Sequence, residues 1–144
     1  VLYAIVDLAT GRAEGIFFVL NIIPAHGTAE MGLFYGPALA RKPAGTEAFA
    51  LLAGYILGTQ GYRRLEWRCI DENAASHRAA VRYGFTLEGV LRQSAWRKGR
   101  TQDLAIYSII DGEWPPIAAR LDAWLAPANF DDDGLQRAPL GSLV

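Results

Sequence analysis

Residues 28–70 read TAEMGLFYGPALARKPAGTEAFALLAGYILGTQGYRRLEWRCI, and the change of period along them decides the fold. The first eight alternate, Thr28, Glu30, Gly32 and Phe34 against Ala29, Met31, Leu33 and Tyr35, which is the two-residue period of a strand. GPALARKPAG breaks the pattern. Phe49, Leu52, Ala53 and Ile56 then fall at i, i+3, i+4 and i+7, one apolar stripe of an amphipathic helix for which Gly61 supplies a stop. Alternation returns in RRLEWRCI, with Leu65, Trp67 and Cys69 opposed to Arg64, Glu66 and Arg68. Strand, helix and strand in that order predict a parallel crossover, and parallel neighbours open a ligand crevice at their C-terminal ends.

Upstream, LYAIVD and the continuous apolar run IFFVLNII predict two more strands, paired antiparallel across ATGRAEG, the second ended by Pro24 and buried on both faces. Downstream, DENAASHRAAVRYGF has the polar start and Gly-Phe exit of a second helix. Leu87–Trp96 and Gln102–Ile110 form a hairpin around RKGR; DGEWPP ends it, and IAARLDAWL is a last short helix. The expected class is α/β (α+β), a mixed central sheet flanked by helices. One domain is expected over residues 1–126, with 127–144 a polar, acidic and loosely held tail.

Composition bounds the partners. Of 144 residues 51% are hydrophobic and the formal net charge is −1, which favours a small-molecule partner over nucleic acid or an anionic membrane. No apolar run has the length of a membrane span, and VLYAIVDL lacks the basic region and cleavage site of a signal peptide, so a cytoplasmic setting is expected. The single cysteine, Cys69, fits a reducing compartment and a place in the core. His26 and His77 have neither metal-ligand spacing nor a nucleophile motif beside them; both are expected as surface or loop residues, and no metal is expected. The chain contains no G-x-x-x-x-G-K-[ST] and no G-x-G-x-x-G, which excludes a P-loop nucleotide hydrolase and a Rossmann dehydrogenase.

The first chemical signal is ARKPAGTEAF at the head of the first helix. A helix N-terminus offers unpaired N–H groups and a partial positive charge, and it holds anions where small residues let them approach. Ala44, Gly45 and Thr46 give the approach; Arg41 and Lys42 give the charge. The same residues equally fit an ordinary loop with Thr46 as the helix cap and two solvated cations.

The second helix separates these readings. Asn73, Ser76, Gly84 and Phe85 in NAASHRAAVRYGF, with the loop before the first helix and the strand GYRRLEW, resemble the GNAT superfamily of acyl-CoA-dependent N-acyltransferases, specifically its RimJ/RimL-like branch. TLEGVLRQ, RKGRTQD and YSIIDGEWP continue the likeness through Trp114. The resemblance implies the GNAT fold, with residues 28–35 and 64–70 as its splayed parallel pair. It implies transfer of an acetyl group from acetyl-CoA, the cosubstrate, to a primary amine of a small molecule or protein N-terminus, by direct attack in a ternary complex. It also implies that the chain begins at the family's second strand, with an N-terminal strand and helices missing and an exposed first strand inviting a homodimer.

Site residues follow from the resemblance position by position. The family's pyrophosphate loop falls on Ala40, Pro43 and Gly45, of which only Gly45 keeps the pattern. Pro43 removes one donor, leaving the amides of Lys42, Ala44, Gly45 and Thr46, with Arg41 compensating. A backbone N–H near Gly32 and Leu33 would face the oxyanion. Ala80 stands where many members carry an acidic Tyr, and Ser76 is the branch's substitute toward the leaving thiolate, or else a helix cap. Asn73 is a partner of the cofactor arm, or a cap. Glu88 matches the branch's base and Glu30 lies where other members carry theirs, with Tyr107 and Asp103 orienting the acceptor, or Asp103 instead paired with Arg100 or Arg92. The alternative is an acyl-CoA-binding relative without turnover.

Overall fold

The period change along residues 28–70 becomes the centre of the sheet. The computed structural model describes residues 1–40 and 42–142. Strands β1 (Leu2–Val6), β2 (Ala13–Ile23) and β3 (Thr28–Tyr35) lead into helix α1 (Pro43–Ala53), and β4 (Arg64–Ile70) follows. Helix α2 (Ala74–Tyr83), the hairpin of β5 (Thr86–Arg97) and β6 (Arg100–Ile110), and helix α3 (Trp114–Leu125) complete the order. The six strands run β1-β2-β3-β4-β6-β5 across the sheet, and β3–β4 is its parallel pair, as the crossover requires. This is the expected mixed α/β architecture.

Burial on one face holds the helices to the sheet. Phe17, Met31, Leu65, Trp67, Tyr107 and Ile109 point from the strands into a core completed by Phe49, Leu52, Tyr83 and Leu121 of the helices. Each such side chain contributes roughly 1.5–3 kcal/mol by leaving water. Phe49 stacks flat on Tyr83 at 4.1 Å, which ties α1 to α2 directly over the parallel pair. The stripe read from the sequence is buried throughout, and α1 ends in a wider, π-type turn over Gly54–Thr59 before Gly61 turns the chain at φ +67. Gly84 caps α2 at φ +102, and a Cβ there would stand 2.9 Å from both Arg120 Nη2 and Ile117 Cδ1.

Three expectations need correction. The run IFFVLNII is buried on one face only: Phe17 and Val19 enter the core, while Ile16, Leu20, Ile22 and Ile23 remain exposed. The sheet's second face carries these side chains with Phe34, which is 64% exposed. The last helix starts at Trp114, so Pro115 and Pro116 open it rather than separate it from the hairpin; at these positions the missing N–H groups cost nothing. The tail expected to be loosely held is tied back to α3. Buried Asn129 donates to the carbonyls of Trp124 (2.9 Å) and Ala138 (3.2 Å) and accepts from Ala138 N at 2.9 Å. Gln136 Oε1 accepts from Trp124 Nε1 at 3.0 Å, and Leu140 is buried. Among the described residues no helix is long and apolar enough to cross a membrane.

Candidate active site

The site is built where β3 and β4 part. They pair from Thr28↔Arg64 to Met31↔Trp67; beyond that rung Gly32–Tyr35 stay with β2, and Arg68–Ile70 stay with β6. A fork therefore opens at the C-terminal ends of the parallel pair, with Leu33 two residues past the last rung and α1 and α2 starting above it. Strand amides and carbonyls at such a fork can pair with an extended ligand as they would with a strand.

Beside the fork lies a cavity of about 500 Å³ lined by Tyr35, Lys42, Thr46, Arg82, Trp124 and Gln136, among others. Its floor is the N-terminus of α1. Lys42 is the N-cap residue, without a side-chain cap, and Pro43 is the first helical residue. Pro43 thus stands where a proline fits a helix start best, though it still offers no N–H to a ligand. Thr46, considered as the cap, is instead the fourth helical residue, buried, and its Oγ1 accepts from Arg82 Nη1 at 2.9 Å. The guanidinium of Arg82 lies 4.9 Å from the Trp124 ring centre and 5.6 Å from that of Tyr83. Arg82, not singled out from the sequence, joins Lys42 at the positive end of a helix whose first turn has no acidic residue. Like charge gathered at that end is unfavourable by itself and favourable once an anion sits there.

The small residues have a second cause. A Cβ on Gly45 would stand 3.0 Å from Leu39 O and 3.1 Å from Tyr35 Cε2, so glycine is needed there for packing, whatever binds. Tyr35 Oη donates to Gly45 O at 2.5 Å and lies 3.3 Å from Tyr83 Oη; burial, then Tyr83, push its pKa well above the ordinary phenol value. Of the amides expected at a phosphate, Lys42 N reaches Leu39 O and Gly45 N reaches Lys42 O, both at 3.1 Å. Ala44 is exposed. Arg41 lies outside the described residues.

At the start of α2, Asn73 is a helix cap: its Oδ1 accepts from Ser76 N at 3.2 Å. Ser76, one turn in, is not a cap. Its Oγ accepts the indole N–H of Trp67 at 2.9 Å, directly above the last rung of the fork. Ala80 is fully buried. Tyr107 lies on β6 opposite Trp67 of β4. It is buried beneath α2 with its Oη 2.5 Å from His77 Nδ1, while His77 Nε2 lies 2.9 Å from Asp71 O, so His77 is a packed residue and not a loop one. Asp103 Oδ1 accepts from Gln93 N at 2.7 Å, where a bulge puts Gln93 at φ +51; the pairings considered with Arg92 or Arg100 are not made, and Arg100 binds Glu72.

The candidate bases meet in a ladder of charge on the open face of the sheet. Arg64 Nε holds Glu66 at 2.9 Å and its Nη1 and Nη2 hold Glu88 at 2.5 and 2.6 Å; Arg68 holds Glu66 at 2.8 Å and lies 3.4 Å from Glu30. Burial raises the Glu66 pKa, but Arg68 and Arg64 outweigh it and leave it below the ordinary value. Arg64, helped by the Ser108 hydroxyl at 2.7 Å, pulls Glu88 down to about 2. A carboxylate so stabilised is a weak base near neutral pH. Glu88 also lies on β5, two strands beyond β4, whereas Glu30 is one rung from the fork. Asn21 Nδ2 holds Glu30 Oε2 at 2.7 Å from a bulge in β2 where Asn21 adopts φ +44. Asn21 and Arg82 escaped sequence reading because each acts through a partner distant in the chain, and Glu66, whose partners Arg64 and Arg68 are two residues away, read as one side of an alternating strand. Among the described residues no group of three or more His, Cys, Asp and Glu gathers as a metal site.

A forked parallel pair in a six-stranded mixed sheet, with a cationic helix start beside the fork, defines the class of α/β domain. The chain belongs to the GNAT acetyltransferase family: residues 1–86 match the family described as "Acetyltransferase (GNAT) domain". It is similar to a GCN5-related N-acetyltransferase from Brucella melitensis, at 43% identity and a TM-score of 0.96, over 99% of this chain and 65% of that one. An uncharacterised N-acetyltransferase of Bacillus subtilis is 32% identical over 59% of this chain and 48% of its own length. A ribosomal-protein-serine acetyltransferase of Escherichia coli is 28% identical over 69% of this chain and 56% of its own. The chain therefore spans about half the length of the curated relatives it matches.

Proposed function

We propose that this chain binds acetyl-CoA and transfers its acetyl group to a primary amine, as a member of the RimJ/RimL-like branch. The observation that carries the reading is the meeting of Lys42 and Arg82 at an acid-free helix N-terminus, beside the fork of β3 and β4. The cosubstrate's phosphates would lie against the start of α1, near Ala44, Gly45, Thr46, Lys42 and Arg82. Its pantetheine arm would enter the fork as an extra strand past Leu33, and its sulfur would come to Ser76. Acetyl-CoA supplies an activated thioester. The chain's own residues hold it, give the carbonyl oxygen a backbone N–H near Gly32 and Leu33, and hydrogen-bond the departing sulfur.

Glu30 is the better-placed base. It is one rung from the fork and takes the amine proton through a water, while Glu88 and Glu66 serve to hold Arg64 and Arg68 in the ladder. Three carboxylates against two guanidiniums leave the ladder net negative, which suits a cationic amine. Branch membership rests on Ser76 in its helix and on the likeness to the ribosomal-protein-serine acetyltransferase, which brings peptide N-termini beginning with Ser among the candidate acceptors. Thiol release from acetyl-CoA, measured over a panel of amino acids, polyamines and N-terminal peptides, tests the reading. Amine-dependent release that Glu30→Gln suppresses supports it; acetyl-CoA binding with no release by any amine would favour the acyl-CoA-binding relative without turnover.

A further inference from the structure

We propose that Trp67 is a positioning residue for the leaving sulfur, using its indole N–H to fix the direction of the Ser76 hydroxyl and to strengthen it as a donor. The proposal rests on the acetyl-CoA reading above and deepens it.

Trp67 occupies the last paired rung before the strands part, and its ring is buried, with Phe85 at 5.6 Å and Tyr83 at 6.3 Å. The ring cannot rotate without opening the core, so the aim of its N–H is set by packing. That N–H meets Ser76 Oγ at 2.9 Å. Indole is a donor only, so the bond commits a lone pair of Ser76 and leaves the hydroxyl hydrogen for another acceptor. A helical serine commonly returns that hydrogen to a carbonyl one turn back. Among the described residues Ser76 makes no such bond. Burial pushes the Cys69 thiol up, and the Ser76 hydroxyl partly offsets this. A hydroxyl that accepts one hydrogen bond donates a stronger one, by about 10–30% per bond. Ser76 thus stands at the fork as a polarised donor, which is what replaces a tyrosine at the position of Ala80.

The transfer balances without any net change in Ser76. The amine nitrogen bonds to the acetyl carbon, the C–S bond breaks with its electron pair on sulfur, and the proton shed by nitrogen ends on the CoA thiol. Ser76 hydrogen-bonds the sulfur while it carries charge, and Trp67 holds Ser76.

The test reads the sulfur directly, before any acceptor is known. The thiol of bound CoA is titrated by its thiolate absorbance in wild type, Trp67→Phe, Ser76→Ala and the double variant. The wild type should hold the bound thiol more acidic than either single variant, by a factor of about 2–10 in its ionisation constant. The two losses should not add. Equal effects of Trp67→Phe with Ser76 present and absent, or no effect, would overturn the proposal. A kcat cycle with any accepted amine should repeat the pattern, with KM for acetyl-CoA held within about twofold. Should Trp67→Phe fold poorly, benzothienylalanine at position 67 keeps the bicyclic shape and lacks the N–H, and the same outcomes apply. Absence of CoA binding by the wild type would instead refute the cofactor reading beneath the proposal.

Discussion

Changing Arg82 to Gln separates a binding role from a structural one, because the two predict opposite balances of loss. The guanidinium bonds Thr46 Oγ1 at 2.9 Å and lies 4.9 Å from the centre of the Trp124 ring, contacts that contribute about 1 kcal/mol and 0.5–1 kcal/mol. Against them stands repulsion from the α1 N-terminus, about 0.3–1 kcal/mol, with Lys42 on the same cavity wall. The free protein should therefore lose about 0.5–1.7 kcal/mol, a fall in Tm of about 2–7 °C. A phosphate removes the repulsion and takes a charge-assisted bond of about 1.5–3 kcal/mol, so acetyl-CoA should bind about 10–150-fold more weakly to the variant. Calorimetric titration and thermal denaturation on the same preparations measure both. Affinity unchanged within about twofold, with a Tm loss well beyond that range, would show Arg82 to be a strut between α2 and α3 and would refute the anion-site reasoning.

Other expectations follow from single contacts. Asn73→Ala removes the cap of α2 and should cost about 1 kcal/mol, seen as a lower Tm with CoA affinity little changed. Gly45→Ala places a methyl against Leu39 O and Tyr35; a loss of about 1–3 kcal/mol in denaturant unfolding, with Tyr35 displaced, is expected. Glu88, held at about 2, contributes stability that is complete above the ordinary carboxylate range and is lost as pH falls toward 2. Since its side chain is 41% exposed, screening limits that contribution to about 1 kcal/mol or less. Glu88→Gln should flatten the acid limb of a stability profile and leave any alkaline rise of the rate in place.

Local periodicity carried the fold because it is written in neighbours. The two-residue alternation of Thr28–Tyr35 and Arg64–Ile70, with a helical stripe between, fixes which side chains enter the core and forces the crossover. The Lys98-Gly99 turn, with φ +52 and +77, is likewise legible in RKGR. Other features depend on partners distant in sequence. A continuous apolar run cannot say whether one or both of its faces is covered, and so β2 was expected to be buried on both. An Asn or Gln looks like tail polarity until Asn129 and Gln136 are seen bonded back to Trp124. Ser76 was readable from its place in the helix, but the indole that aims it lies on a strand nine residues earlier. Glu88 was readable as a carboxylate on a strand, and only the fold brings Arg64 to both its oxygens.

The central claim is that the forked strands and the cationic start of α1 form an acetyl-CoA site, and titration of acetyl-CoA into the folded chain tests it most directly. Dephospho-CoA and adenine nucleotides serve as controls, and Arg82→Gln as the matched variant. Micromolar binding, weakened by Arg82→Gln, is the predicted result. A folded chain that gives neither heat nor a rise in Tm with acetyl-CoA would contradict the account.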